Sequence, residues 1–185
     1  RRRGGDPLSR AGYVLPRSAG FDRLDELARW ADRWLDREPP APIATALEPI
    51  AATDPGAADH LSETYTRLFS GVLPDSPKPP YESLYRDGAL YGPHATSVER
   101  AYRESGVDVD RNSGELADHL GIELHFVAEL CERGDEAALD AFVVEHPLAW
   151  IDDFVETIEA ADPGTFYQGV LDLTRVSLSP WRVDG

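Results

Sequence analysis

The sequence is poor in several residue types, and each scarcity excludes a class of protein. Its 185 residues include no Met, one Lys and one Cys. With Cys131 alone, neither an intramolecular disulfide nor a metal cage of cysteines can form, which is typical of a reducing compartment. We predict that Cys131 is a buried packing thiol, because it falls on an apolar stripe. No run of 18 apolar residues occurs, so the sequence predicts no transmembrane helix.

Basic charge is scarce, whereas acidic charge is abundant. Asp and Glu total 34 against 18 Lys and Arg, which gives a net charge of −16. Such a surface repels phosphate backbones and argues against general nucleic-acid binding. The acids are spread along the whole chain, which favours a solvated, salt-adapted surface over attraction of one basic partner. With Lys78 as the only lysine, we expect a halophilic, cytoplasmic protein.

Apolar residues recur at intervals of three and four along most of the chain, which is typical of helices that bury one face. No segment shows the two-residue alternation of a half-buried strand. The sequence therefore predicts one compact all-α domain of seven or eight helices over residues 21–180. Residues 1–20 are expected to form a flexible or truncated leading segment. A proline-rich loop over residues 74–93 separates the two parts of the domain.

Capping patterns predict where several helices begin. We expect starts at Asp54-Pro55, at the capping box that opens with Thr96, and at Asp135, His146-Pro147 and Asp162-Pro163. Two further helices are predicted over residues 21–37 and 43–52. The most apolar helix should start at residues 112–115, with Leu120, Leu124 and Val127 in the core.

Enzyme motifs are scarce. No phosphate-binding loop, dinucleotide fingerprint, nucleophile elbow or zinc-protease motif occurs. His119 and Glu123 lie four residues apart, as do His125 and Glu129, but one His and one Glu do not make a metal site. A helical metal-dependent hydrolase using Asp118 and His119 is kept as an alternative. The favoured interpretation has no catalytic residue, cofactor or metal.

Two polar features remain. Residues 79–85, Pro-Pro-Tyr-Glu-Ser-Leu-Tyr, form a stiffened loop whose simplest role is to cover the core with its tyrosines. Residues 115–121 place an acid and an imidazole at the start of the most apolar helix, where the simplest role is to complement the helix dipole. Placed side by side, the two features would instead border an apolar groove that holds a peptide.

Several segments, in this order, match the motifs of one family. They are residues 65–71 (Tyr-Thr-Arg-Leu-Phe-Ser-Gly), 80–85, 98–106, 115–126, 146–150 and 166–167. Over about residues 58–178, the chain resembles the TorD/DmsD family of redox-enzyme maturation chaperones. Pro147 stands where the family often has Leu, and Leu116 where some members have Pro. Residues 8–21 match the family's first helix poorly, so no site residue is taken from them.

The resemblance implies a TorD-like helical chaperone. Such a protein binds the twin-arginine leader, the catalytic subunit, or both, of a molybdopterin oxidoreductase of the DMSO or TMAO reductase type, and assists cofactor insertion before export. A nitrate-reductase-type assembly chaperone is the alternative within the family. An acidic protein with an apolar groove also suits a leader that carries a basic segment and an apolar stretch.

We expect eight side chains to border the peptide-binding groove. The main candidates are Tyr81, Ser83, Tyr85, Asp118 and His119, and the weaker ones are Glu82, His146 and Trp150. Tyr81 would form a rigid apolar wall, and Asp118 would accept a two-pronged contact from a leader arginine. The expected partners are the leader and the catalytic subunit, without nucleic acid or membrane insertion. We expect mostly monomer, with a fraction of domain-swapped dimer.

Overall fold

The computed structural model describes residues 24–72, 75–107 and 116–182, which contain nine α-helices and no β-strand. In chain order the helices are α1 (Leu24–Leu35), α2 (Ala41–Ala51), α3 (Ala58–Phe69), α4 (Glu82–Arg86), α5 (Pro93–Glu104), α6 (Leu120–Arg133), α7 (Glu136–Glu145), α8 (Pro147–Glu159) and α9 (Gly164–Ser177). The predicted all-α fold is confirmed. The described part has more than the predicted seven or eight helices, because α4 lies within the expected loop over residues 74–93, where Asp118 accepts hydrogen bonds from the main-chain N–H groups of Glu82 and Ser83. No helix in the described part of the chain is long and apolar enough to cross a membrane.

One part of the core is built by close packing of α2 against α9. A Cβ atom at Gly169 would lie 2.8 Å from the carbonyl oxygen of Ala46 and 2.6 Å from Cγ of Pro49, so glycine is what allows the two helices to approach. Helix α1 also packs against α2, and it buries Leu24 and Ala31. The apolar spacing of this segment therefore predicted its helix correctly.

Another part of the core is aromatic and joins α5, α6 and α7. The rings of Tyr102, Phe126 and Phe142 contact one another pairwise, with centroids 4.6, 4.7 and 5.7 Å apart. The Phe142 ring also lies 4.7 Å from the ring of His146, at the junction of α7 and α8. Tilted and edge-to-face contacts of this kind stabilise a core beyond simple area burial. The aromatic cluster supports the polar groups described below.

Several predicted helix boundaries are confirmed by the caps. The Asp135 carboxylate accepts from the main-chain N–H of Ala138 at 3.3 Å, and Pro147 is the first residue of α8, as His146-Pro147 predicted. Gly134 ends α6 in the left-handed conformation, with φ of 68°. Asp54 caps a short 3-10 turn, and α3 follows it from residue 58.

Two predicted helix starts are wrong. Helix α5 begins at Pro93 and not at Thr96, because the Asp87 carboxylate accepts from the main-chain N–H of His94 at 3.0 Å and so stabilises an earlier first turn. Helix α6 begins at Leu120, so Asp118 and His119 precede it. The capping pattern at residues 112–115 lies outside the described residues.

The buried face of α6 also differs from the predicted one. Ile122, Phe126 and Leu130 are buried together with Leu120, whereas Leu124 and Val127 are only partly buried. Cys131 is exposed, so the prediction of a buried thiol is wrong. The sequence offers two adjacent apolar stripes on this helix, and contacts with α5, α7 and α8 decide which one faces the core.

Candidate functional site

The two polar features singled out from the sequence lie directly against each other. Tyr81 and His119 form an isolated antiparallel β-bridge. The main-chain N–H of Glu82 donates to the carbonyl oxygen of Asp118, and that of Leu120 donates to the carbonyl oxygen of Pro80, each at 2.9 Å. We call residues 80–83 and 118–120, held together in this way, the bridge. The proline-rich loop is thus fixed to the start of α6.

Asp118 is the buried anchor of the bridge. Its side chain is fully buried, and its Oδ2 atom accepts from the main-chain N–H of Ser83 at 2.9 Å. Its Oδ1 atom has no hydrogen-bond partner within residues 24–72, 75–107 and 116–182. Ser83 is equally buried, and its hydroxyl oxygen also lacks a partner there. The buried carboxylate therefore fixes the loop to the start of α6. Its contact with a leader arginine stays a prediction.

His119 occupies the N-cap position of α6. Its Nδ1 atom accepts from the main-chain N–H of Gly121 at 3.0 Å, so in the neutral ring the hydrogen resides on Nε2. The imidazole packs edge-on against the Tyr81 ring, with centroids 5.1 Å apart and an interplanar angle of 75°. Both side chains are partly exposed. They form the part of the bridge that an incoming peptide can reach.

Tyr85 faces inward, one helical turn beyond Tyr81. Its ring stacks on Trp150 at 5.3 Å, and its hydroxyl donates to the carbonyl oxygen of Lys78 at 2.8 Å. The ring also meets the edge of Phe154 at 5.8 Å. Burial raises the pKa of the Tyr85 hydroxyl, so it stays protonated and able to donate. Trp150 itself is a core residue.

A buried polar network lies beneath the bridge. Glu82 is fully buried, with one carboxylate oxygen paired to Arg86 and the other 2.9 Å from Nδ1 of His146. His146 is also buried. Sequence reasoning ranked Glu82, His146 and Trp150 as weak groove residues, but the structure places all three in the interior. Buried in this way they can support the site, and their contact with a peptide stays a prediction.

Sequence reasoning missed Glu123, Arg86 and Tyr102 as members of this network. Glu123 is fully buried, and its Oε2 atom accepts from the Trp150 indole N–H at 3.2 Å. Burial, followed by the negative charge of Glu82, raises the pKa of the Glu123 carboxyl well above its ordinary value. Tyr102 donates to the carbonyl oxygen of Ala117 at 2.9 Å, just before the bridge. For Arg86, the signal in the sequence was its four-residue spacing from Glu82.

The geometry gives little support to the metal-dependent hydrolase. No group of three His, Cys, Asp or Glu side chains in the described ranges is arranged to hold a metal ion. One carboxylate oxygen of Asp118 accepts from the main-chain N–H of Ser83, and the Nδ1 atom of His119 accepts from that of Gly121. What the arrangement can do is present a ring pair, Tyr81 and His119, on a rigid main-chain support.

Comparisons with known proteins agree with this picture. Residues 35–156 match the model of the nitrate reductase delta subunit family. The Tat proofreading chaperone DmsD of Salmonella paratyphi A is 27% identical over 156 residues, which cover 83% of this chain and 73% of that protein. The probable Tat proofreading chaperone DmsD of Haemophilus influenzae is similar to the same extent, at 27% over 157 residues, 84% of this chain and 75% of the relative. The chaperone protein TorD of Shewanella pealeana is 33% identical over 104 residues, 51% of this chain and 47% of the relative.

Proposed function

We propose that this chain, which belongs to the nitrate reductase delta subunit family and is related to the DmsD and TorD chaperones, is a maturation chaperone of a molybdopterin oxidoreductase. It acts in the cytoplasm, where it binds the twin-arginine leader or the catalytic subunit of its client, or both. Binding delays export until the cofactor is inserted. This role requires recognition of a peptide and no chemical step by the chain itself.

The observation that carries the proposal is the bridge. It joins two of the six segments whose motifs resemble the family, and it leaves Tyr81 and His119 partly exposed side by side. A third motif segment lies close by, because the Phe69 ring is 6.2 Å from Phe154, which also contacts Tyr85. Tyr65, on the same segment, is 41% exposed and lies 5.2 Å from Phe69. Aromatic surface is therefore available for the apolar stretch of a leader.

Charge supplies the second element of recognition. A chain of net charge −16 attracts the basic segment of a leader over distances of about a Debye length, roughly 10 Å at 0.1 M salt. In a salt-rich cytoplasm this attraction is screened, so the aromatic contacts carry more of the affinity. Affinity for a leader should accordingly fall only modestly with salt once the ionic strength exceeds physiological values.

The test is a calorimetric titration with a synthetic twin-arginine leader and a control leader in which both arginines are lysines. Lysine keeps the charge but loses the planar fork of arginine. We expect the control to bind at least tenfold more weakly, about 1.4 kcal/mol. Tyr81→Ala and His119→Ala should lower the affinity of the chain for the twin-arginine leader by a similar factor. Tyr91→Ala is the matched control, because Tyr91 is 76% exposed and lies outside the bridge.

Equal affinity for both leaders would contradict leader recognition. Equal affinity of the wild type, Tyr81→Ala and His119→Ala would show that the bridge is not the site. Melting curves of each variant must be measured beside the titrations, so that a loss of folding is not mistaken for a loss of binding.

The description of the matching family favours a second candidate, an assembly chaperone of the nitrate reductase type. The two candidates differ only in the client. Titration with leaders and catalytic subunits from both classes of molybdoenzyme separates them, because the chain should discriminate by more than tenfold in favour of its own client.

A further inference from the structure

Glu82 is an acidic residue in an unusual position, because it is fully buried and directly follows Tyr81, whose ring is partly exposed. It opens α4, a helix of only five residues that follows Tyr81. A helix this short is not stable alone, since forming its first turn fixes several residues for few hydrogen bonds. The conformation of residues 81–86 must therefore depend on anchors outside the helix. Glu82 supplies one such anchor, because its fully buried carboxylate is bound by groups of other elements.

Both carboxylate oxygens of Glu82 are held by separate partners. Nη1 of Arg86 pairs with Oε1, and the same nitrogen donates to the carbonyl oxygen of Glu145 at 2.7 Å. On the other side, Nδ1 of His146 lies 2.9 Å from Oε2 and donates its hydrogen to it. A carboxylate fixed at both oxygens cannot rotate. Glu82 thus connects α4 to the junction where α7 ends and α8 begins.

The other charged groups near Glu82 leave it as the acceptor of this network. Four other ionisable side chains face this network from neighbouring elements. They are Glu123 on α6, Asp118 in the bridge, Tyr102 on α5 and Glu145 on α7. Glu123 lies close enough for the charge of Glu82 to act on it, and burial favours its protonated form. When Glu123 is neutral, Glu82 carries the negative charge of this pair, and Arg86 and His146 can pair with it.

We propose that Glu82 is a positioning residue of the leader site, which holds the bridge in register so that Tyr81 and His119 stay side by side. The inference rests on the proposed function for its ligand, and on the hydrogen bonds of Glu82 for its mechanism. The main-chain N–H groups of Glu82 and Ser83 both donate to Asp118, so a rotation of α4 about a released Glu82 would break both bonds.

The chain contains a matched control for this network. Arg133 pairs with Glu129 at the same four-residue spacing, and its Nη1 donates to the carbonyl oxygen of Ser105 at 2.9 Å. That pair resembles Arg86 and Glu82 in chemistry, but it lies in the last turns of α6, at the end of the helix away from the bridge, and its carboxylate is partly exposed. Glu129→Gln therefore controls for Glu82→Gln, and Arg133→Met controls for Arg86→Met.

The first readout is hydrogen exchange, followed by NMR, at the main-chain amides of Ser83 and Leu120, which close the bridge. Glu82→Gln should speed exchange at both amides at least tenfold, and Glu129→Gln should leave them unchanged. Arg86→Met gives the same test through the partner if Glu82→Gln does not fold. Arg86→Lys keeps the charge and should restore part of the protection. Glu123→Gln, which imitates the protonated carboxyl, should keep the protection.

The second readout is the affinity for the synthetic twin-arginine leader, measured on the same folded variants. Glu82→Gln or Arg86→Met should weaken it at least tenfold, with recovery in Arg86→Lys. Unchanged exchange in Glu82→Gln and Arg86→Met overturns the positioning mechanism. Faster exchange with unchanged affinity overturns the link to the leader. If the wild-type chain binds no leader, the proposed function fails, while exchange still decides whether Glu82 holds the bridge.

Discussion

Replacing Asp118 by alanine tests the role of this side chain as the anchor of the bridge. Asp118 is fully buried, and its only hydrogen bond from the described residues comes from the Ser83 main-chain N–H at 2.9 Å. Asp118→Ala leaves this amide buried and unsatisfied, which costs about 1–3 kcal/mol, and a bond to a charged acceptor lies at the upper end. We expect a loss of about 2–3 kcal/mol in the free energy of unfolding.

The matched variant is Asp118→Asn, which keeps an oxygen acceptor and removes the charge. It also relieves repulsion, because the charge of Asp118 contributes to the raised pKa of Glu123. Asp118→Asn should therefore cost less than about 1 kcal/mol. Urea unfolding followed by circular dichroism, with an unchanged m-value, gives both numbers. A loss below about 0.5 kcal/mol in Asp118→Ala, or equal losses in both variants, would refute the acceptor argument.

Four further predictions concern stability. Leu130→Ala should cost about 3–5 kcal/mol and Leu124→Ala no more than about 2 kcal/mol, because Leu130 is fully buried and Leu124 only partly so; urea unfolding of both variants checks the buried face of α6. Gly169→Ala should lower the melting temperature, because its Cβ would overlap α2; an unchanged value would contradict the close packing. Hydrogen bonds from Arg182 lower the pKa of Asp152, so this pair stabilises the fold above about pH 4 and loses its effect as the pH falls through the lowered value; the difference between wild type and Arg182→Ala, below about 1 kcal/mol for so exposed a pair, should vanish in acid. Molar KCl should raise the melting temperature, and higher stability in low salt would argue against salt adaptation.

The fold class was predictable because the longer helices each show their own apolar spacing, whereas the five-residue α4 shows none and lies in the segment predicted to be a loop. The choice between neighbouring stripes was not, as α6 demonstrates. Both the stripe with Leu120, Leu124 and Val127 and the stripe with Ile122, Phe126 and Leu130 satisfy helical spacing. Only the second meets the aromatic rings of α5 and α7. The exposed position of Cys131 follows from the same choice.

The two segments of the candidate site were predictable from the sequence. The buried polar network beneath the bridge was not. The two motifs predicted that the segments of Tyr81 and His119 lie side by side, and the bridge joins these two residues. Spacing could not show that Glu82 would meet His146, 64 residues away in the chain, since that contact depends on how α4 lies against α8. A buried carboxylate in a proline-rich loop has no local signature, because its partners come from other elements.

The near absence of lysine has a structural counterpart in how the arginines are used. Arg67 donates to the carbonyl oxygens of Ala161 and Asp162, just beyond the end of α8. Arg86 donates to the last residue of α7, and Arg133 to Ser105 at the end of α5. In each case a guanidinium from one helix satisfies carbonyls at the negative end of another, which the helix dipole favours. The planar fork lets Arg133 donate to a carboxylate from Nε and to a carbonyl from Nη1, and it lets Arg67 donate to two carbonyls from its two terminal nitrogens, which the single ammonium of lysine does poorly. These three arginines are thereby committed to joining helices.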